Sequence, residues 1–239
     1  MDIAGKSVLI TGASRGIGRA LVEEALRRGA SKVYAGTRSD MRNADSRVTA
    51  LTMEVTDASQ VQRAAGQVED LDILINNAGI AIYDDLTNPA VIHQHMAVNF
   101  WGPFHVTRAF LPLLLRSQGA IVNNLSLSSL APNPVIPAYS ISKAAAFSLT
   151  QSLRMLLAGQ GVRVHAVLTG PVDTDMTRGF EVPKASPESV ARAILDGLVN
   201  GEEDIFPDPM SQSLAKGWPT GAVKSLEKQV AGLLALAPG

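Results

Sequence analysis

Residues 7–18 read Ser7-Val8-Leu9-Ile10-Thr11-Gly12-Ala13-Ser14-Arg15-Gly16-Ile17-Gly18. A short β-rich run enters a glycine turn, and apolar residues at helical spacing follow: Leu21, Val22, Ala25 and Leu26, halted by Gly29. Strand, glycine turn and helix in that order have a specific physical use. Glycines let the backbone turn tightly and approach a pyrophosphate, while the helix N-terminus presents unpaired N–H groups to the anion. Gly12, Gly16 and Gly18 occupy the three positions required, and Ser14 offers a hydroxyl donor to phosphate.

Outward from this turn, strand and helix patterns alternate. Apolar Val33-Tyr34-Ala35 and the run 48–53 are followed by an amphipathic stretch from Asp57 to Glu69. The buried-strand run Ile73-Leu74-Ile75 then ends in Asn76-Asn77-Ala78-Gly79. A long helical segment is predicted from about Pro89 to Arg116, a strand at 120–125, a second long helix from about Ala138 to Ala158, and a strand at 162–168. Continuous apolar strands separated by helices require a parallel sheet covered on both faces. The expectation is a single-domain α/β Rossmann fold over 1–239, a doubly wound parallel sheet of about seven strands with helices on both faces and a C-terminal extension over 208–239.

Composition narrows the function classes. The chain has 239 residues, 46% of them hydrophobic, with 21 Lys+Arg against 22 Asp+Glu and no cysteine. A chain of this length can bury roughly 70–75% of its unfolded surface without staples. Zero cysteine excludes disulfides, zinc ribbons, thiolate catalysis and Fe–S ligation. Balanced charge with no basic stripe argues against nucleic acid as a partner. No signal-peptide pattern opens the chain, and its apolar stretches fall short of the roughly 20 residues of a membrane span, so a cytoplasmic protein without membrane contact is expected. His93 and His95, two apart on a predicted helix, point in different directions and make no metal pair, so solvated or capped roles and no metal are expected.

Two readings compete for the glycine turn. Gly12-Ala13-Ser14-Arg15-Gly16 also satisfies the G-x-S-x-G nucleophile elbow of hydrolases. That reading needs an oxyanion-hole loop from earlier strands and a late histidine, whereas little chain precedes Gly12 and the candidate His165 lies inside an apolar strand. The phosphate reading is preferred. Cofactor choice follows from charge at the end of the second strand, Gly36-Thr37-Arg38-Ser39. Thr37 stands where an acid would bind the ribose 2′-OH of NAD, and Arg38 and Arg15 are cations suited to a 2′-phosphate. NADP(H) is the expected cofactor.

Tyr139-Ser140-Ile141-Ser142-Lys143 places a phenol and an ammonium four residues apart, on one face of the helix that Pro137 introduces. A free tyrosine has a pKa of about 10, and a nearby cation makes its phenolate accessible for acid–base work. Ser126 lies 13 residues upstream, at a strand end where a hydroxyl can hydrogen-bond a carbonyl oxygen. Pro103 interrupts a helical pattern without an N–H to offer the carbonyl of Asn99, which is left free to bind water.

These ordered features resemble the short-chain dehydrogenase/reductase family over at least residues 5–175. The matching stretches are Thr11–Gly18, Asn76-Asn77-Ala78-Gly79, Asn99-Phe100-Trp101-Gly102, the Ser126/Tyr139/Lys143 set, and Gly170-Pro171-Val172-Asp173-Thr174. The resemblance implies that Tyr139 donates a proton to a carbonyl oxygen and that Ser126 orients it. Lys143 would bind the nicotinamide ribose and lower the Tyr139 pKa, and Asn99 would hold the water that links Lys143 to solvent. It also implies cofactor contacts by Ile17, Glu54, Val55, Asn77, Ala78, Gly79, Pro171, Val172 and Thr174 beside the turn residues, and a homodimer or homotetramer packed through the two long helices.

Three departures stand out: Glu54 where the family commonly has Asp, Thr169 where a Pro often precedes the Gly-Pro turn, and Asn123-Asn124-Leu125 before Ser126, with Ser128 as a rival serine. Substrate choice falls to residues 176–187, with Arg178, Phe180 and Lys184; in this family the corresponding loop closes over the substrate. The expected function is NADPH-dependent reduction of a hydrophobic ketone or aldehyde, reversible as an alcohol dehydrogenase. Reduction of a 3-oxoacyl thioester and a non-catalytic NADP(H)-sensing regulator are the alternatives. In the tail, Val223, Leu226, Val230, Leu233 and Leu234 form an apolar helical face.

Overall fold

The computed structural model describes residues 1–38 and 44–231. Ser39, Leu233 and Leu234 of the sequence reading lie outside the described residues. Seven parallel strands form one sheet: β1 (Ser7–Thr11), β2 (Lys32–Thr37), β3 (Val48–Thr52), β4 (Ile73–Asn76), β5 (Ala120–Asn124), β6 (Arg163–Val167) and β7 (Asp204–Ile205), in the order β3-β2-β1-β4-β5-β6-β7. Leu9 of β1 pairs with Tyr34 of β2 on one side and Leu74 of β4 on the other. Between β1 and β4 the winding reverses, so the connections leave the strand ends in opposite directions and open a crevice there.

The strands are apolar without interruption because both faces are covered. Val8, Ile10, Ile73 and Ile75 face α1 (Gly16–Arg27) and α6 (Pro187–Asn200). Leu9, Leu74 and Ile121 face α2 (Ala58–Ala65) and α4 (Gly102–Ser117), where Val61, Val106, Phe110 and Leu114 are buried. α3 (Pro89–Met96) and α5 (Pro137–Leu157) pack together beside this layer. Beyond β7 lie α7 (Pro209–Ala215) and α8 (Ala222–Ala231). α8 is fastened by a largely buried ionic cluster in which Arg154 of α5 pairs with Asp204 of β7 and Glu227, and Lys224 pairs with Asp204, Glu203 and Glu227.

One local reading changes. The helix expected from Pro89 to Arg116 is divided by a π-helical segment, Ala97–Trp101, where the Gly102 N–H donates five residues back to Ala97. Pro103 therefore sits in the first turn of α4. With no N–H on residue 103, the carbonyl of Asn99 loses its ordinary partner and the helix widens by one residue. The expected seven strands are present, and the seventh, β7, has only two residues, too few to show a periodicity in the sequence.

Candidate active site

At the C-terminal ends of the strands lies a cleft of about 1170 Å³ that runs from the glycine turn, across β4 and β5, to the segment 176–182. Every expected cofactor residue lines it. Gly12 and Gly16 have φ of +66° and +53°, left-handed values that a side chain would strain. A Cβ on Gly18 would stand 2.1 Å from the Gly12 carbonyl oxygen. α1 begins without a side-chain cap and without an acid in its first turn, so its leading N–H groups remain available to an anion. This cradle fits a nucleotide diphosphate. Ser14 borders it, whereas His165, the base a hydrolase elbow would need, is buried in β6 with Nδ1 on the Glu202 carbonyl and does not line the cleft.

Thr37, Arg38, Glu54 and Val55 line the β2 and β3 end of the cleft, and Arg15 lies beside the turn. Arg15 is engaged, with its Nη1 3.1 Å from Asp175. Asp175 also binds Arg178, so one carboxylate joins the glycine turn to the segment where substrate residues were expected. The Glu54 carboxylate accepts from the N–H of Thr56 at 3.5 Å.

The acid–base set converges at the centre of the cleft. Tyr139 and Lys143 lie one turn apart on α5, and both are buried. The Tyr139 hydroxyl is hydrogen-bonded by Ser126, while the rival Ser128, which also lines the cleft, gives its backbone N–H to Ser126 Oγ at 3.1 Å. Burial holds the Tyr139 phenol above its ordinary pKa, and the bond from Ser126 pulls the other way. Burial also lowers the Lys143 ammonium to about 8. Its Nζ stands 5.7 Å from the centre of the Tyr139 ring and donates to the Asn124 carbonyl at 2.8 Å. Of the two influences on the phenol, burial is the larger. Solvent exclusion from both groups is the physical reason.

Asn99 is buried behind the cleft wall and does not line it. Its amide exchanges two bonds with Ile80, N–H to Oδ1 and Nδ2 to carbonyl, both 2.9 Å, and donates to Ser142 Oγ on α5 at 3.0 Å. The side chain is thus committed to Ile80 and Ser142, and Pro103 leaves the Asn99 backbone carbonyl without its ordinary helical donor.

Three residues missed by sequence reasoning hold this site together. Asn124 Nδ2 donates to Asn77 Oδ1 at 3.0 Å, and Thr169 Oγ1 donates to Asn124 Oδ1 at 2.9 Å. Asn77 Nδ2 in turn donates to the carbonyl of Thr11 at 3.0 Å. A side-chain chain thus ties β6, β5, β4 and β1 beneath the cleft, and two departures from the family pattern, Asn124 and Thr169, are partners in it. Asp208 accepts the Gly170 N–H at 2.7 Å and caps α7, which brings Met210 and Leu214 to the cleft. His95, expected to be solvated or capped, is fully buried: Nδ1 is bonded to the Val91 carbonyl and Nε2 accepts the Ile82 N–H at 3.0 Å, which defines a neutral ring. Among the described residues no cluster of His, Asp and Glu could hold a metal, and no helix is long and apolar enough to cross a membrane.

A family model described as short chain dehydrogenase matches residues 6–184. The chain is similar to the short chain dehydrogenase pigC of Monascus ruber, 36% identical over 200 residues that cover 74% of this chain and 66% of the relative. Its match to the short chain dehydrogenase tazN of Aspergillus terreus, 34% identical, takes in 78% of this chain and 45% of that protein. With the 1-deoxy-11-beta-hydroxypentalenate dehydrogenase of Streptomyces avermitilis it shares 31% identity over 238 residues, covering 89% of this chain and 88% of the relative. Among solved structures, a short chain dehydrogenase from Burkholderia cenocepacia in complex with NADP superposes with a TM-score of 0.86 at 38% identity, over 95% of this chain and 97% of that one.

Proposed function

Because the chain belongs to the short-chain dehydrogenase family, we propose that it is an NADP(H)-dependent reductase of hydrophobic ketones or aldehydes, reversible as an alcohol dehydrogenase. The observation that carries this reading is the buried Tyr139 phenol, hydrogen-bonded by Ser126 and crossed by the Lys143 ammonium, in the cleft that begins at the glycine turn. A bound nicotinamide supplies the hydride that a carbonyl carbon accepts. Burial keeps the phenol protonated at neutral pH, the state in which Tyr139 donates a proton to the carbonyl oxygen. Ser126 donates a second hydrogen bond to that oxygen, and Lys143 stabilises the phenolate left behind. The backbone carbonyl of Asn99, to which Pro103 has no N–H to offer, holds the water through which Lys143 exchanges its proton.

Support for NADP(H) over NAD(H) comes from Arg15 and Arg38 along the cleft, Thr37 in place of an acid, and the NADP held by the Burkholderia neighbour. Support for an uncharged substrate comes from the two loop cations. Arg178 is paired with Asp175, and Lys184 Nζ donates to the Thr177 carbonyl at 2.7 Å, which weakens the case for an acyl-carrier thioester. The complete proton-transfer set argues against a sensor without turnover. A homodimer or homotetramer packed through α4 and α5 belongs to the same reading and is tested by light scattering; Ile141 and Leu156 are exposed on α5. The main test is NADPH oxidation against a panel of ketones, aldehydes and one acyl thioester, with Tyr139→Phe alongside. Loss of general acid catalysis lowers the rate by about 100-fold or more; equal rates for parent and variant would remove Tyr139 from the mechanism.

A further inference from the structure

Tyr83 and Phe180 are 97 positions apart in the chain, yet their rings stack with centroids 5.6 Å apart and planes inclined by 15°. Neither ring belongs to a buried core cluster, and Tyr83 is 63% exposed. Both line the cleft, from opposite banks: Tyr83 from the segment after β4, Phe180 from the segment between β6 and α6. Five further exposed apolar side chains, Ile82, Met176, Val182, Met210 and Leu214, border the same end. Apolar surface gathered at one mouth and not used by the core marks a place for a ligand.

The two banks are built differently. The Tyr83 bank is pinned by three side chains: Asn99 holds both backbone groups of Ile80, His95 accepts the Ile82 N–H, and Asp84 accepts the Ala138 N–H at the start of α5, at 3.2 and 3.3 Å. The His95 ring also meets the Tyr139 ring edge-on, 6.2 Å between centres. Tyr83 is therefore registered to the catalytic phenol through His95 and Ile82. Phe180 follows Gly179, whose φ is +87° and whose Cβ position is empty to 4 Å. That bank is tied by the Phe180 N–H and Lys184 Nζ, which both donate to the Thr177 carbonyl, and open space lies on its Gly179 side.

We propose that Tyr83 and Phe180 form an aromatic roof over the substrate end of the cleft and select carbonyl compounds that carry a flat aryl group. The selection rests on the reductase reading above. Tyr83, held in register with Tyr139, presents a fixed ring face. The aryl group of the substrate stacks on this roof while its carbonyl reaches Tyr139 and Ser126. Offset stacking at this spacing is the geometry aromatic rings prefer.

The test compares acetophenone with 2-butanone in the parent, Tyr83→Ala, Phe180→Ala and Tyr83→Phe, reading both turnover with NADPH and calorimetric binding to the NADP⁺-loaded protein. The roof predicts that the acetophenone to 2-butanone ratio of kcat/KM falls by about tenfold in each alanine variant, that acetophenone Kd weakens to match, and that Tyr83→Phe restores both. An unchanged ratio and an unchanged acetophenone Kd in both alanine variants would overturn it, as would a parent that does not bind acetophenone. A parent that binds acetophenone through Tyr83 and Phe180 but turns over no carbonyl overturns the reductase reading and leaves the roof standing.

Discussion

Replacing Asn124 by alanine leaves the backbone carbonyl that receives Lys143 in place and removes only the side-chain link between β4 and β6. Two partners are stranded: Asn77 Oδ1 loses a donor at 3.0 Å, and the Thr169 hydroxyl loses an acceptor at 2.9 Å. Each loss in a partly buried site is worth about 1 kcal/mol, so the pair predicts about 2 kcal/mol of destabilisation. For a chain of this size 1 kcal/mol moves Tm by about 2–4 °C, which places the expected drop at about 4–8 °C. Asn77 also supports the carbonyl of Thr11, and Ala78 lies within 3.0 Å of a Cβ on Gly12, so NADPH binding should weaken in parallel. Calorimetric unfolding and a fluorescence titration with NADPH read the two effects. A double-mutant cycle with Thr169→Val isolates the link itself, because the two changes should be non-additive by about 1 kcal/mol. Strict additivity, or a Tm within about 1 °C of the parent, would refute the reasoning.

Other consequences are simpler. Gly18→Ala drives a Cβ to 2.1 Å from the Gly12 carbonyl oxygen, which forces the turn apart at about 1–3 kcal/mol; NADPH affinity should fall by about tenfold or more, and an unaltered Kd would contradict the cradle. Lys143, at about 8, loses its charge as pH rises through that value, well below an ordinary lysine. The kcat/KM for reduction should therefore fall on the alkaline side near pH 8. Lys143→Arg, whose charge persists, should lose that limb whatever its absolute rate, and a limb that stays would assign it to another group. Asp175→Asn releases Arg15 from its carboxylate. The exposed pair contributes little to stability, so the expected outcome is an unchanged Tm with NADPH bound about two- to fivefold tighter and NADH unaffected; equal gains for both cofactors would sink it.

How legible the site was depended on the range of the interaction. The glycine turn, the parallel order of strands and helices, and the i,i+4 placement of Tyr139 and Lys143 are written in short-range spacing, because backbone periodicity and the steric demands of a left-handed turn act within a few residues. β7 is too short to carry a period, and the π-helical segment at Ala97–Trp101 depends on how a widened turn is accommodated against its neighbours, although Pro103 marks its cause. His95 shows the same limit: its spacing from His93 excluded a metal pair, but only the Ile82 N–H and the covering Tyr139 ring make it a buried neutral strut.

The sequence by itself determined the fold class and singled out the glycine turn and the Tyr139 and Lys143 pair, since each is written in residue type at fixed local spacing. Tertiary structure alone decided that Asn124 and Thr169 complete one another, that Arg15 is shared with Asp175, that the phenol is raised by burial, and that Tyr83 meets Phe180 over the cleft. Those are contacts between residues that are distant along the chain, or the exclusion of water by distant elements packing together. Such properties exist only once the chain has closed on itself.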